Sequence, residues 1–415
     1  MMEIVKKIEQ CPITGDTNPI EYFNLGEVPL VNNLCSSKEE SLNCSKYPLA
    51  VQYFPKSGLS TLTHAVDPKI LYTNYTYKSG VSYPYIEHCE EMFEFMDAYL
   101  ELDKNHKILD IGGNDGTLLK TFLQLRPELN VLNIDASENL TAEAEKNGIP
   151  SINAFWGAEL AKKLNTKFRL ITTTNCFQHT APIESFVEGI SVSLEKFGIW
   201  CLEFPYWKTS IETGQFDQVY HEHLYYYLVK PLTLLLDKYN LQVIKAVKYP
   251  IHGGTMRLLI THKGELGEAF QPCDYSIPPT LKNEIFDIED YIKWGKKIKN
   301  DIKKSKEFIL SLKNKGHKIA GFGAAAKGCI YLNAMGLTNE HIDYVVDDTN
   351  LKQGKFIPGT GIEVVNRSVL KSDPPDYILI LAHNFAEYII KSLVLEHKAK
   401  FIILLPKIKI IELNS

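Results

Sequence analysis

The sequence predicts an α/β protein in which a central Rossmann-like unit is flanked by a small N-terminal domain and a C-terminal Rossmann-like α/β domain. Three observations predict it. Apolar runs of strand length alternate with segments of helical spacing between about residues 86 and 262. The alternation resumes at "HKIAGFG" and continues to "KFIILLP". Residues 1–84 read instead as short pieces broken by Pro, Gly, Asn and Ser.

The predicted boundaries are 1–84, 85–262 and 263–415. In the first segment, "EYFNLGEVPLVNNL" and "YPLAVQYFPKSGLSTLTHAV" read as strands and turns. "IEHCEEMFEFMDAYLELD" carries apolar residues at helical spacing. Strands then follow at "HKILDIGG", "NVLNIDAS", "FRLITTTN" and "GIWCLEFP", with helices at "TLLKTFLQL", "AELAKKLN" and "IESFVEGISVSL". This order predicts a parallel sheet with helices on both faces. A Pro-bearing stretch, "GEAFQPCDYSIPPTL", precedes a lysine-rich amphipathic helix predicted over about 282–315.

The chain has 415 residues, 45% hydrophobic and 23% charged, enough to bury a sizeable core. Its net charge of -5 and the lack of a basic stripe argue against a nucleic-acid partner. No apolar signal region opens the chain, and no run of about 18 apolar residues occurs, so no membrane span is predicted. Eight cysteines, mostly far apart, do not suggest a disulfide framework. A reducing, cytoplasmic setting is predicted, and the oligomeric state is left open.

"ILDIGGNDGTLL" runs a strand into a glycine turn and a helix. Gly112, Gly113 and Gly116 permit a tight turn and close approach of a ligand. Asn114 stands where a dinucleotide fingerprint would have glycine, and the lysine of a phosphate loop is missing. Asp110 ends the first strand, and Asp135, followed by Ala136, ends the next. The second acid suits a ribose, and the first suits a cationic tail. An adenosine bearing a cationic tail is S-adenosyl-L-methionine.

"FDQVYHEHLYYY" gathers Tyr220, His221, Glu222 and His223 after the fourth strand, where open α/β sheets bind ligands. If extended, it places Tyr220 and Glu222 on one face and His221 and His223 on the other. Such residues supply a base near neutral pH and donors for an oxyanion. His179 in "NCFQH" ends the preceding strand and points to the same crevice. A zinc site within the segment has spacing too tight for the usual paired-histidine helix motif.

These motifs resemble the nucleotide-sugar C-methyltransferases that add branching methyls to deoxysugars. The resemblance rests on "LGEVPLVNNL", "LDIGGNDGTLL", "NCFQH", "EFPYW", "YHEH", "IHGGTMR" and "GFGAAAKG", and it spans nearly the whole chain. It implies a class I Rossmann-like methyltransferase domain, an N-terminal zinc-binding domain, and a C-terminal domain that helps hold the nucleotide sugar. It further implies that Asp110, Gly112, Gly113, Asn114, Gly116, Asp135 and Ala136 line the cofactor site. His179, Tyr220, Glu222 and His223 are the implied catalytic group, joined by a tyrosine from the N-terminal region, Tyr75 or Tyr77.

The zinc ligands depart from the family pattern. Cys11 is kept in "CPIT", but Thr14 replaces the second sulfur, and Phe54 and Ser57 replace both sulfurs of the second pair. One thiolate does not make a tetrahedral zinc site, so no structural zinc is predicted.

The second glycine loop, "KIAGFGAAAKGCIYLN", puts Gly323 and Lys327 at a helix start, where backbone N–H groups favour phosphate. The resemblance implies a contact there with the sugar nucleotide's diphosphate. Taken alone, the loop also suits NAD, with Asp347 or Asp348 as the ribose acid. "IHGGTMR" offers His252 and Arg257 as substrate ligands, with Gly253 and Gly254 forming a turn.

The resulting expectation is proton abstraction next to the ketone of a nucleotide-linked (TDP-type) 4-keto sugar, enolate formation, and methyl transfer to carbon. His223 is the expected base, with Glu222 setting its orientation or serving as an alternative base. The alternatives are an O-methyltransferase acting on a sugar or sugar phosphate, an NAD-linked oxidoreductase, and a non-catalytic nucleotide-sugar binding protein.

Overall fold

The strand Lys107–Ile111 is buried along all but its first residue, as a parallel strand covered on both faces should be. It is an interior strand of a seven-stranded sheet, fifth in order from the Leu241–Tyr249 edge. On one side it pairs in parallel with Asn130–Asp135, which pairs with Ser151–Asn153. On the other side lie Phe168–Thr174 and then Leu194–Pro205, also parallel. Thr255–His262 runs antiparallel between Leu194–Pro205 and the edge strand Leu241–Tyr249. Helices Tyr83–Leu100, Thr117–Leu125, Glu138–Lys146, Ala158–Leu164, Ile183–Ser193 and Val229–Asp237 complete this unit. The structure, a computed structural model, describes residues 4–72, 75, 78–81, 83–265, 284, 286–393 and 399–412. "GEAFQPCDYSIPPTL" lies wholly outside them.

The C-terminal unit repeats the architecture on a smaller scale. Ile319–Phe322 pairs in parallel with Tyr344–Val346 and Tyr377–Ile380. Ile362–Val365 and Lys400–Ile403 extend the parallel core, and Phe356–Ile357 and Lys409–Ile411 close the edges antiparallel. The long helix covers Ile288–Asn314 and buries Tyr291, Trp294 and Ile298. It begins after Asp287, later than its periodicity predicts.

The N-terminal sheet has four strands, and the fourth comes from elsewhere in the chain. Ile20–Pro29, Lys46–Phe54 and Leu59–Leu62 form a meander. Tyr225–Tyr226 adds to its edge, antiparallel to Ser60 and Thr61. The tyrosine run that follows "YHEH" is therefore sheet, and it fixes the loop before it to the N-terminal domain. The Phe54 side chain is fully buried, and the Cys11 Sγ lies 3.2 Å from the Ser57 Oγ. A phenyl ring and a thiol–hydroxyl contact stand where the family pattern has sulfurs, and these groups do not fit a zinc ion. Among the described residues no group of three His, Cys, Asp or Glu side chains is placed to hold a metal, and no helix is long and apolar enough to cross a membrane.

Candidate active site

The first glycine turn sits under the carboxyl ends of the parallel strands. Gly112 has a φ of +70°, and its N–H donates to the Ile134 carbonyl at 2.7 Å. A Cβ on Gly112 would lie 2.3 Å from the Cys176 Sγ. One on Gly113 would lie 2.2 Å from the Asn133 Oδ1. The turn thus needs glycine for both conformation and space. Asn114 takes a φ of +56°, and its N–H donates to the Asp135 Oδ2 at 2.9 Å. Gly116 caps the helix Thr117–Leu125 in the left-handed region. Asp135 receives a second backbone donor, Ser137 N–H at 2.8 Å, and Ala136 lies between them. Burial raises the Asp135 carboxyl above its ordinary value.

The Asp110 side chain is fully buried beneath the turn, with Oδ1 accepting from the Thr172 hydroxyl at 2.8 Å and Oδ2 without a partner. Burial pushes its carboxyl up to about 7. The strand runs one residue past Asp110, to Ile111, and the carboxyl lies against Gly113 of the turn. The cradle and the strand-end acid Asp135 fit an adenosine. We predict that Gly112→Ala weakens S-adenosylhomocysteine binding more than about tenfold, since an added methyl must displace Cys176 or the turn itself. Titration calorimetry tests this, and unchanged affinity would remove Gly112 from the cofactor site.

The catalytic candidates converge beside this cradle. Tyr220 to His223 form a tight turn closed by the His223 N–H on the Tyr220 carbonyl at 2.9 Å. The segment is therefore not extended, and the expected two-faced alternation is wrong. The turn puts the Tyr220 and His223 rings together, with centroids 4.0 Å apart. His221 faces away, its Nε2 3.2 Å from the Tyr47 carbonyl in the N-terminal domain.

His223 is 4% exposed, and its Nδ1 lies 2.9 Å from the Gln218 carbonyl. A carbonyl only accepts, so Nδ1 carries the proton and Nε2 keeps its lone pair. Burial, then His179 and Lys327, hold the imidazole well below its ordinary basicity, outweighing the Gln218 bond. The His179 ring centroid is 5.0 Å from that of His223. Burial pushes His179 down to about 3. Both rings are neutral at pH 7.

Glu222 is held by two donors from the N-terminal region. The Tyr75 hydroxyl donates to Oε2 at 2.7 Å, and the Asn32 Nδ2 to Oε1 at 2.6 Å. Burial pushes this carboxyl up to about 7, against the effect of both bonds. The Tyr72 hydroxyl lies 3.2 Å from both the Glu222 carbonyl and the His179 Nδ1. Tyr75 thus takes the place expected of an N-terminal tyrosine, and Tyr77 lies outside the described residues. Sequence reasoning missed Tyr72 and Asn32. The signal for Asn32 was present in "VNNL", a polar pair just past the strand Ile20–Pro29.

Glu222 gives a pH signature. Its folded-state value of about 7 exceeds the ordinary 4.5. Between these values the folded protein holds the proton more tightly, so this group's contribution to stability is lost as pH rises through 7. The Glu222→Gln variant lacks that slope. Its melting temperature relative to the parent should rise between pH 5 and pH 7.5, by the equivalent of roughly 3 kcal/mol. A constant offset across that range would show that Glu222 titrates normally.

Two candidates lie elsewhere. Arg257 is fully buried. Its Nε donates to Glu203 at 2.6 Å, and its terminal nitrogens reach Glu91 and the Tyr249 hydroxyl at 2.8 Å each. This corrects its reading as a substrate ligand, because its donors face fixed protein partners. His252 takes a φ of +54°, and its ring stands near Tyr85 and Phe385. Its carbonyl accepts from the Lys327 Nζ at 2.9 Å. Lys327 is therefore drawn into the joint between units, not projected as a free charge from its helix start.

The second glycine loop is wired like the first. The Gly323 N–H donates to the Val346 carbonyl at 2.7 Å, and the Ala324 N–H to the Asp347 Oδ2 at 2.9 Å. Here, however, the Lys352 Nζ lies 3.2 Å from Asp347 and donates to the Ala324 carbonyl at 2.9 Å. An ammonium occupies the side of Asp347 that a ribose needs, which weighs against NAD.

Residues 85–246 match a family described as "Methyltransferase domain", and residues 250–406 one described as "C-methyltransferase C-terminal domain". The chain is 27% identical over 420 residues to the C-methyltransferase NovU of Streptomyces niveus, covering 100% of both chains. Among solved structures, one similar chain is a S-adenosylmethionine-dependent methyltransferase of Clostridium acetobutylicum, 14% identical over 43% of this chain and 92% of that one (TM-score 0.34). Another is the magnesium protoporphyrin IX methyltransferase of Synechocystis with bound SAH, 11% identical over 43% and 82% (TM-score 0.34). The chain is a methyltransferase. More narrowly, its residues 250–406 match a C-methyltransferase domain, and the whole chain is similar to a C-methyltransferase.

Proposed function

We propose that the substrate is a nucleotide-linked 4-keto deoxysugar, methylated on the carbon beside the ketone. The observation that carries this is the His223 tautomer. Its Nδ1 proton is held by the Gln218 carbonyl, so a neutral Nε2 stands ready as a base in a buried site. A C–H bond is acidic enough for such a base only when a neighbouring carbonyl accepts the charge. His223 removes that proton at Nε2. Tyr220 and His179, both within ring contact of His223, are placed to meet the enolate oxygen or a sugar hydroxyl. Glu222 and Tyr75 join the base turn to the N-terminal domain and help exclude water. S-adenosylmethionine, when bound, supplies the electrophilic methyl.

Asp135 and the turn Gly112–Gly116 are the proposed cofactor cradle. Lys327, Gly323 and the His252 carbonyl mark the side from which the C-terminal unit meets the substrate. The test is calorimetric titration with S-adenosylhomocysteine followed by TDP, then incubation with TDP-linked 4-keto sugars. Binding of both compounds with methylation at carbon supports the reading. Methylation of a sugar that lacks a ketone would replace it with O-methyl transfer. TDP binding without methyl transfer to any sugar would favour a binding protein.

A further inference from the structure

The turn that carries the base has an anchor that the scheme above leaves unused. Asp217 lies in the short turn Phe216–Gln218, and its side chain is fully buried. Neither of its carboxylate oxygens has a hydrogen-bond partner among the described residues. A carboxylate so placed is tolerated only where opposite charge meets it. That charge comes from Lys327 of the C-terminal unit, and a second polar group, the His383 Nδ1, stands 3.4 Å from the Asp217 Oδ2, its ring held below its ordinary basicity chiefly by burial. The Lys327 ammonium is close enough for Asp217 to favour its charged form, against the effect of burial.

The same turn is pinned at the next residue. The Gln218 carbonyl holds the His223 Nδ1–H at 2.9 Å, and the Gln218 Nε2 donates to the His252 carbonyl at 3.3 Å. That carbonyl also accepts from the Lys327 Nζ at 2.9 Å. A continuous set of contacts therefore runs from the C-terminal unit to Asp217 and Gln218, and from Gln218 to the imidazole.

We infer that Asp217 is a positioning residue for His223, held in place across the unit boundary by Lys327 and His383. The inference rests on His223 being the base. On this reading the C-terminal unit does more than face the substrate. It fixes the carbonyl that selects the His223 tautomer, so the base is correctly presented only when the two units are joined.

Exchange of solvent deuterium into the carbon beside the ketone of TDP-4-keto-6-deoxyglucose, with S-adenosylhomocysteine bound, isolates the proton-abstraction step. The full-length protein should catalyse this exchange. Asp217→Asn preserves shape and removes charge, and it should slow exchange by about 10–100-fold, the scale on which loss of an orienting partner acts at a histidine ligand. Affinity for S-adenosylhomocysteine should not change. In ¹⁵N spectra of histidine-labelled protein, the His223 Nδ1–H signal should give way to a mixture of tautomers. His383→Gln should slow exchange in the same direction, and the double variant should be no slower than Asp217→Asn alone. Should Asp217→Asn not fold, His383→Gln decides by itself. Exchange at the parent rate in either variant, or slowed exchange with the tautomer signal intact, overturns the inference. An inactive parent that still binds S-adenosylhomocysteine would instead remove the His223 reading, and this inference with it.

Discussion

Replacing His223 with alanine is expected to lower the rate of methyl transfer by about 10²–10⁴-fold, the usual loss when an oriented general base is removed. Affinity for S-adenosylhomocysteine should stay within a few-fold of the parent, because the proposed cofactor cradle is built from the turn at Gly112 and the strand end at Asp135. The side chain is 4% exposed, so its removal opens a cavity, and the melting temperature must be read beside the rate. Solvent-deuterium exchange is the sharper readout, since it follows proton abstraction without the methyl step. If His223→Ala exchanged at nearly the parent rate, Glu222, whose carboxyl burial pushes up to about 7, would become the base. It lies one residue from His223 and is oriented by the Tyr75 hydroxyl and the Asn32 amide.

Replacing Arg257 with methionine is expected to destabilise the protein by about 3–5 kcal/mol, the scale for breaking a buried ion pair by removing one partner. Glu203 is the reason. Its carboxyl has no exposed surface and lies 2.6 Å from the Arg257 Nε, with both its oxygens 2.9 Å from the His88 Nε2. Burial alone would raise its pKa, but Arg257 and then His88 hold it below the usual carboxylate range. Without the guanidinium, a charged or newly protonated acid is stranded in the sheet. Thermal unfolding should shift down by roughly 10 °C, and Glu203→Gln should recover part of the loss in the double variant. The folded fraction should still bind TDP as the parent does. A variant of normal stability with weakened TDP binding would return Arg257 to the substrate site.

Much of the architecture was legible in the sequence. The strand–helix alternation predicted both sheets because a parallel strand covered on two faces must be apolar along most of its length, as Lys107–Ile111 is. Helix Thr117–Leu125 was readable from its apolar spacing and the glycine before it. The pairing of Tyr225–Tyr226 with Ser60 and Thr61 was not, because a two-residue strand carries no period and its partner lies about 165 positions earlier in the chain.

The candidate site divides in the same way. Chemistry-bearing residue types in "YHEH", "NCFQH" and the glycine turn announced themselves by composition and order. Their geometry did not. The extended reading of Tyr220–His223 failed because a single hydrogen bond, His223 N–H to the Tyr220 carbonyl, closes the segment into a turn. Arg257 read as a ligand because an arginine beside a glycine pair looks exposed, whereas Glu203 and Glu91 lie 54 and 166 residues away in sequence.

By itself, the sequence determined that this chain folds as α/β units around a glycine turn suited to an adenosine cofactor. It also determined that histidine, glutamate and tyrosine gather after the fourth strand. Those properties are local, set by periodicity and by residues that only particular backbone shapes accept. Only the tertiary structure decided which histidine nitrogen bears the proton, which tyrosine meets Glu222, and that Lys327 turns inward toward Asp217. Each depends on groups brought together across three parts of the chain, and burial there sets the protonation states that chemistry requires.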